Sequence, residues 1–134
     1  MKREIKFRGK RKDNCEWVEG DLKTNLVPKG SMSKCPAICT TEGTIGTFFV
    51  CNDTVGQFTG LHDKNGKDIY EGDIVLQQGY HGNKQPMVVK FECGAFIVGF
   101  HKGSSTKPTP MLLNSKCEEI GNIYDNPELI EQSL

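Results

Sequence analysis

The chain has 134 residues, enough for one domain or for two small lobes. Its 17 lysines and arginines balance 17 aspartates and glutamates, so no overall charge draws it to nucleic acid or to a membrane surface. A hydrophobic content of 36% excludes a disordered chain, and 15 glycines between short apolar runs favour many turns and short strands.

The first strand is predicted near the N-terminus, where the run Arg3–Lys10 alternates strictly between apolar and charged side chains. Ile5 and Phe7 point to one side of such a strand, and the basic residues point to the other. A turn at residues 13–14 should lead into a second strand over Cys15–Leu22, so that the two strands form a hairpin.

The next region is predicted to hold a loop and two further strands. The loop is marked by turn-forming residues, namely Pro28, Gly30, Ser31 and Ser33. A short strand is predicted over Ala37–Thr41, and a buried strand over Thr47–Cys51 because that run is apolar and rich in β-formers.

The middle of the chain, Asp53–Val75, has the clearest turn signals. Asn65-Gly66 suits a tight turn because both residues tolerate positive φ, so segments 57–61 and 67–75 should be brought together. Gly72 should break the chain again before the β-branched run that starts at Ile74. This alternation of turns and strands predicts a small β-barrel or β-roll.

The C-terminal part should add three strands and a short helix. The strands are predicted over Pro86–Glu92, Ala95–His101 and Glu118–Tyr124, with loops over 78–85 and 102–110 and a short apolar anchor at 111–113. Asn126 can cap a helix that docks Leu129 and Ile130. The predicted core is Phe49, Phe58, Ile69, Ile74, Val89, Phe91, Phe96, Val98, Ile120 and Ile123.

Three segments together resemble one known family: Arg3–Arg8, Thr54–Val75 and Ile120–Leu129. In this order they resemble the YopX family of phage and prophage proteins. The resemblance implies a mainly β protein whose C-terminal half, residues 54–134, is an SH3-like barrel, preceded by an N-terminal β region over residues 1–53. The family has no assigned catalytic residues, so the resemblance assigns none to this chain.

The six cysteines raise the questions of disulfides and of a metal site. They are Cys15, Cys35, Cys39, Cys51, Cys93 and Cys117. The start of the chain lacks the apolar segment of a signal peptide, and no apolar run is long enough to span a bilayer, so we expect a cytoplasmic protein with reduced thiols. Cys35, Cys39 and Cys51 could share zinc, but no second closely spaced pair follows, and free thiols are favoured.

Catalytic and cofactor signatures are weak throughout the sequence. Segment Asp63–Asp68 resembles a calcium loop, but its glycine stands at the fourth position rather than the sixth, so a hairpin turn is favoured. No nucleophile elbow or phosphate-binding glycine loop occurs, and His62, His81 and His101 are isolated in the sequence. We therefore predict no catalytic residue, no metal and no cofactor.

The best indication of a partner is the basic start of the chain. Lys6, Arg8, Lys10 and Arg11 could follow a phosphate backbone. No aromatic platform alternates with them in the sequence, and the acidic residues cancel their charge, so a solvated strand face is favoured over nucleic-acid binding.

Three functions are carried forward from the sequence. The first is a non-enzymatic accessory protein that binds a host or phage macromolecule, with self-association through exposed strand edges as a further option. The second is nucleic-acid binding through the basic strand, and the third is a metal- or thiol-dependent enzyme.

Overall fold

The computed structural model describes residues 4–78, 82, 84–92, 94–99 and 111–131. Contacts divide the chain into two compact units, Met1–Phe58 and Thr59–Leu134, which are called unit 1 and unit 2. The structure is mainly β, with two antiparallel sheets and one short helix among the described residues. The predicted loop over 102–110 lies outside them, as do residues 79–81 and 83 of the predicted loop over 78–85.

Unit 1 is a meander of antiparallel strands. Its strands are β1 (Phe7–Lys10), β2 (Trp17–Leu26), β3 (Cys35–Thr40), β4 (Gly46–Phe49) and the start of β5 (Gly56–His62). They neighbour one another in the order β4-β3-β2-β1-β5. The predicted first hairpin is confirmed, since Lys10 lies opposite Trp17 and Phe7 lies opposite Gly20.

The end of β4 returns to the end of β1. Val50 forms a bridge with Arg11, Lys12 donates its backbone N–H to the Phe49 carbonyl (3.0 Å), and Cys51 donates to the Lys10 carbonyl (2.8 Å). Gly9 makes this approach possible, because a Cβ there would lie 2.9 Å from the Val50 side chain. Val50 is fully buried as a result.

Unit 2 contains most of the strands predicted after residue 60. Its elements are β6 (Asp68–Tyr70), β7 (Asp73–Gln78), β8 (Lys84–Glu92), β9 (Ala95–Gly99), β10 (Met111–Leu112), β11 (Glu118–Asn122) and α1 (Glu128–Glu131). Five of them form a sheet in the order β10-β9-β8-β7-β11. The β8–β9 hairpin and the left-handed Gly72 (φ +89°) are as predicted.

The inner strand β7 has both faces covered. One face packs into a cluster made of Ile69, Val75, Met87, Val89, Val98, Leu113 and Cys117. The other face packs into a smaller cluster in which Ile74 and Val88 meet Ile130 of α1, with Leu129 against it. The predicted docking of the short helix is therefore confirmed.

Three expectations about the fold need correction. Phe91 is 51% exposed and packs edge-to-face on Phe96 (4.9 Å between ring centroids) next to the turn of the β8–β9 hairpin, so it is not core. The strand predicted as buried over Thr47–Cys51 is the half-buried edge strand β4. The predicted SH3-like barrel is not confirmed, because among the described residues the five-stranded sheet is open, with β10 and β11 at its edges.

Cys15 is the one described non-glycine residue with positive φ (62°), and its side chain is exposed. A left-handed conformation costs most residues about 1 kcal/mol, whereas glycine adopts it freely. We expect Cys15→Gly to raise the free energy of unfolding by about 0.5–1 kcal/mol in urea titrations. Cys15→Ala keeps the conformational cost and should leave stability unchanged; a gain of equal size in Cys15→Ala would assign the effect to the thiol instead.

Candidate binding cleft

The basic residues of β1 stack on aromatic rings rather than standing free in solvent. The Lys6 ammonium lies 4.7 Å from the centre of the Phe58 ring, and its side chain is 21% exposed. The Arg8 guanidinium lies 4.7 Å from the Trp17 ring, and the Lys10 ammonium lies 5.5 Å from the same ring. Such cation–π contacts each contribute about 0.5–1 kcal/mol at exposed sites.

The expectation that no aromatic platform alternates with the basic residues is wrong. Trp17 stands on β2, directly opposite Lys10, so the hairpin register carries its ring across to the basic side of β1. In the sequence the ring is seven positions away from Lys10, and only the antiparallel pairing brings the two together.

Arg11 is held in place by two contacts of its own. Its guanidinium lies 4.1 Å from the Phe48 ring and donates to both carboxylate oxygens of Asp13, at 2.8 and 2.6 Å. These hydrogen bonds lower the pKa of Asp13 and raise that of Arg11. The charge of Arg11 is therefore compensated locally, and its side chain is only 16% exposed.

The four predicted partner-binding residues thus take part in packing and ion pairing within unit 1. Lys6 lies 3.3 Å from Glu4, and Arg11 is paired with Asp13. Nucleic-acid binding through Lys6, Arg8, Lys10 and Arg11 stays a hypothesis, and these contacts would have to be broken or shared for it to occur.

Unit 1 has a concave site, a cleft of about 810 Å³. Its walls come from three segments: the β1–β2 turn, the loop between β2 and β3, and strand β4 with the residue that follows Cys51. Its apolar lining is Pro28, Cys35, Pro36, Phe48 and Phe49. Its polar lining is Lys12, Asp13, Ser31, Ser33, Lys34, Thr47 and Asn52.

The cleft is positive in character. Lys12 and Lys34 are exposed, and within the described part of the chain no ion pair engages either ammonium group. Asp13 is the lining carboxylate, and Arg11 already neutralises it. An anionic group entering the cleft would therefore meet two lysines without an opposing charge.

Local hydrogen bonds shape the walls. The loop turns where Ser31 donates its backbone N–H to the Pro28 carbonyl (3.0 Å), and Ser33 donates to the Ser31 hydroxyl (3.2 Å). The opposite wall is fixed by the hydrogen bond from Lys12 to the Phe49 carbonyl. These hydrogen bonds fix the backbone around the cleft, which favours binding without a large rearrangement of the protein.

Sequence reasoning missed this cleft, although one signal lay in the loop. Met32 is 100% exposed between the two serines that line the cleft, and Val27 at the start of the loop is also exposed. Large apolar side chains in a polar turn segment are candidates for contact with a partner. In the sequence, the loop was recognised by its turn residues alone.

The thiols do not assemble into a metal site in the described part of the chain. Cys35 and Cys39 stand four residues apart on the extended strand β3, which separates them by roughly 13 Å at about 3.3 Å per residue. Two thiolates bound to one zinc ion each lie about 2.3 Å from it, so two cysteines this far apart do not fit one zinc site. Cys35 is buried and its sulfur lies 3.8 Å from the Val50 carbonyl, and no group of three metal-ligating side chains occurs among the described residues.

Two of the other candidate reactive groups, a thiol and a histidine, are buried or paired with a carboxylate. Burial, together with the charge of Asp63, raises the pKa of the Cys117 thiol to about 11, so at neutral pH it is protonated and a poor nucleophile. The His62 imidazole lies 2.9 Å from Asp68 at the surface. Cys93, His81 and His101 lie outside the described residues.

Fold and cleft together define a small, mainly β protein of two units whose first unit carries an aromatic and basic cleft. The YopX protein family model matches residues 6–131, and the chain belongs to the YopX family. The resemblance that the sequence suggested is therefore confirmed.

One solved structure is similar along nearly the whole chain. It is the crystal structure of protein EF1440 from Enterococcus faecalis, which is 26% identical, with a TM-score of 0.54 over 96% of this chain and 99% of that one. No curated protein matches the sequence significantly. The helix α1, four residues long, is too short to cross a bilayer, and no other described helix has the length and apolar character for it.

Proposed function

We propose that the protein is a phage or prophage accessory protein that acts without catalysis, by binding a host or phage macromolecule through the cleft of unit 1. The observation that carries the proposal is the meeting of an aromatic wall and two lysines outside any described ion pair at one concave surface. The phage or prophage origin rests on the family to which the chain belongs.

The composition of the cleft suits recognition. Binding sites combine apolar walls with a few polar groups that fix orientation, and their volumes are about 300–1,000 Å³. Here Phe48 and Phe49 provide the apolar surface, while Lys12 and Lys34 provide charge on two different segments. A partner held by both segments would be oriented as well as bound.

The thiol chemistry supports binding rather than catalysis. The buried Cys117 has a raised pKa, and the buried Cys35 packs against a backbone carbonyl. A catalytic thiol needs a lowered pKa and access to substrate. Cys117 lacks the lowered pKa, and the buried Cys35 lacks the access.

The test is capture of partners from host cells in which the phage or prophage is induced, with the tagged full chain as bait. We expect Lys34→Glu to reduce the captured partner about five- to tenfold, since losing about 1–1.4 kcal/mol of binding energy weakens a complex to that extent. Quantitative mass spectrometry and nucleic-acid sequencing of the eluates measure the change.

Lys29→Glu is the matched control, because Lys29 is exposed on the same loop but does not line the cleft. It should capture as much partner as the parent chain. Both substitutions are on the surface, so the thermal unfolding midpoints of the two variants should agree within about 2 °C. Equal capture by the parent chain and Lys34→Glu would show that the cleft is not the binding surface.

A further inference from the structure

We infer that the occupant of the cleft is an extended acidic peptide segment of a partner protein, which adds to the outer edge of β4 as a further strand. This inference rests on the proposed function, because it names the class of partner for the same cleft. It follows from three features: the backbone of the edge strand, the charge of the cleft and its apolar walls.

The first feature is the direction of the β4 backbone groups. Phe49 lies opposite Ala37 of β3, and Val50 donates its N–H to the Pro36 carbonyl (3.0 Å). In an antiparallel ladder this pattern turns the backbone groups of residues 48 and 50 toward β3 and those of residues 47 and 49 away from it. The hydrogen bond from Lys12 to the Phe49 carbonyl on that outer side agrees with this.

Part of the outer edge of β4 is therefore already hydrogen-bonded. Residues 49–51 pair there with the backbone of Lys12 and Lys10. Thr47 lies farther along the same edge and lines the cleft, so its N–H and C=O point to where a new strand would lie. Pairing of an extended peptide with such an edge is a common mode of recognition.

The second feature is charge complementarity. Lys12 and Lys34 approach the cleft from two different segments, and Arg11 compensates Asp13. A strand lying between them would place carboxylates near both ammonium groups. Acidic side chains are thus favoured in the occupant, and basic ones are disfavoured.

The third feature is the apolar wall. Phe48, Phe49 and Pro36 line the cleft beside the edge. Successive side chains of a strand point to opposite sides. An occupant that alternates acidic and apolar residues would therefore satisfy the lysines and these walls together.

The same features disfavour a nucleic acid. Arg11 covers one face of Phe48 at 4.1 Å, so that face is not available for stacking a base. The chain has no net charge, with 17 basic and 17 acidic residues, whereas binders of single strands follow the backbone with an excess of cations. An edge strand offers alternating donors and acceptors, which a peptide matches and a sugar–phosphate backbone does not.

The test begins with a displayed library of random twelve-residue peptides selected on the immobilised full chain. The best peptide is then synthesised with a fluorescent label, and its affinity is measured by anisotropy. We expect enrichment of aspartate and glutamate alternating with apolar residues. We expect Lys12→Glu and Lys34→Glu each to weaken binding about tenfold, as the loss of a close charge contact predicts, and Lys29→Glu to have no effect.

N-methylation of the peptide, one residue at a time, tests strand addition without altering the protein. Methyl groups on residues whose N–H faces β4 should weaken binding about tenfold or more, and those on the residues between should change it less than about twofold. An N-methylation effect that recurs at every second peptide residue is the signature of a paired strand. A fluorescent fifteen-residue oligothymidylate is measured in parallel as the nucleic-acid probe.

Several results would overturn the inference. They are no enriched peptide, an N-methylation effect without a period of two, or an oligothymidylate that binds more tightly than any peptide and is released by Lys12→Glu. If cell capture depends on Lys34 while no peptide is selected, the proposed function stands and the peptide inference fails. If cell capture is independent of the cleft, the proposed function itself fails.

Discussion

Replacing Gly20 by alanine is expected to lower the free energy of unfolding of unit 1 by about 3 kcal/mol or more, the upper range for forced overpacking. A Cβ at this position would lie 2.1 Å from the Cys39 carbonyl oxygen and 2.9 Å from its carbon. Both atoms belong to the backbone of β3, which pairs with β2 beside Gly20. No rotamer change relieves the clash, so the β2–β3 pairing itself must shift. Urea titration followed by tryptophan fluorescence reports it, because Trp17 is on β2.

Gly99→Ala is the matched control for this prediction. Gly99 also lies in a strand, β9, but a Cβ there would meet nothing within 4 Å. Gly99→Ala should change the free energy of unfolding by less than about 0.5 kcal/mol, as do most substitutions without new contacts. If Gly20→Ala were as mild as Gly99→Ala, the close approach of β2 and β3 would be wrong.

Asp63→Asn is expected to lower the free energy of unfolding by about 2–3 kcal/mol at pH 7, because a buried carboxylate loses charge-assisted hydrogen bonds. One carboxylate oxygen accepts the N–H groups of Asn65 (2.8 Å) and Lys67 (2.9 Å), and the other accepts that of Glu119 (2.9 Å). An asparagine NH₂ in place of the second oxygen would face the Glu119 N–H, donor against donor. Asp63 thus joins the turn before β6 to the strand β11.

The same carboxylate predicts a pH dependence. Burial raises its pKa, but the three backbone donors more than offset this, so the pKa lies below its ordinary value of 3.8. A lowered pKa in the folded state gives stability that is present above the unfolded-state pKa and is lost as the pH falls through the folded-state value. The stability gap between the parent chain and Asp63→Asn should therefore narrow below about pH 4.

Urea titrations at pH 7, 4 and 3 measure this gap. Asp53→Asn is the control, since Asp53 is exposed in the short 3-10 turn after β4. Asp53→Asn should lower the free energy of unfolding by less than about 0.5 kcal/mol at every pH. A gap for Asp63→Asn that stays constant down to pH 3 would contradict the assignment to an ionised carboxylate.

Most strands of unit 2 could be predicted because local residues determine where they begin and end. Asn65-Gly66 and Gly72 mark turns that the backbone adopts, with positive φ at both glycines. The continuous apolar run from Ile74 to Leu76 indicated a strand, and β7 is buried on both faces. Local turn chemistry and β-propensity were sufficient for these elements.

The errors in the fold prediction share one physical cause: each depends on neighbours that are distant in the sequence. Phe91 has the same alternation as Val89, yet it lies beyond the end of the packed cluster. Thr47–Cys51 has the composition of a central strand, but the order of strands places β4 at an edge. Closure of a sheet depends on which strands become neighbours, and hydrophobic pattern does not encode that.

The candidate site was harder to predict than the fold. Arg11 was correctly noted as basic, but its pairing with Asp13 and Phe48 depends on the β1–β2 turn and on the return of β4. The cleft brings together three segments that are distant in the sequence, from Lys12 to Lys34 to Phe49. Charge counts along the chain cannot show which cations are neutralised and which face an open surface.

The position of β11 has a consequence for synthesis. Strand β7 pairs with β8, but its other neighbour is β11, and the Asp63 carboxylate receives its third hydrogen bond from Glu119. On the ribosome, unit 2 must therefore wait for residues 118–122 to leave the exit tunnel before β7 is paired on both sides. The strands β1 to β4 have their partners within the first 58 residues, so nascent chains should acquire the structure of unit 1 earlier.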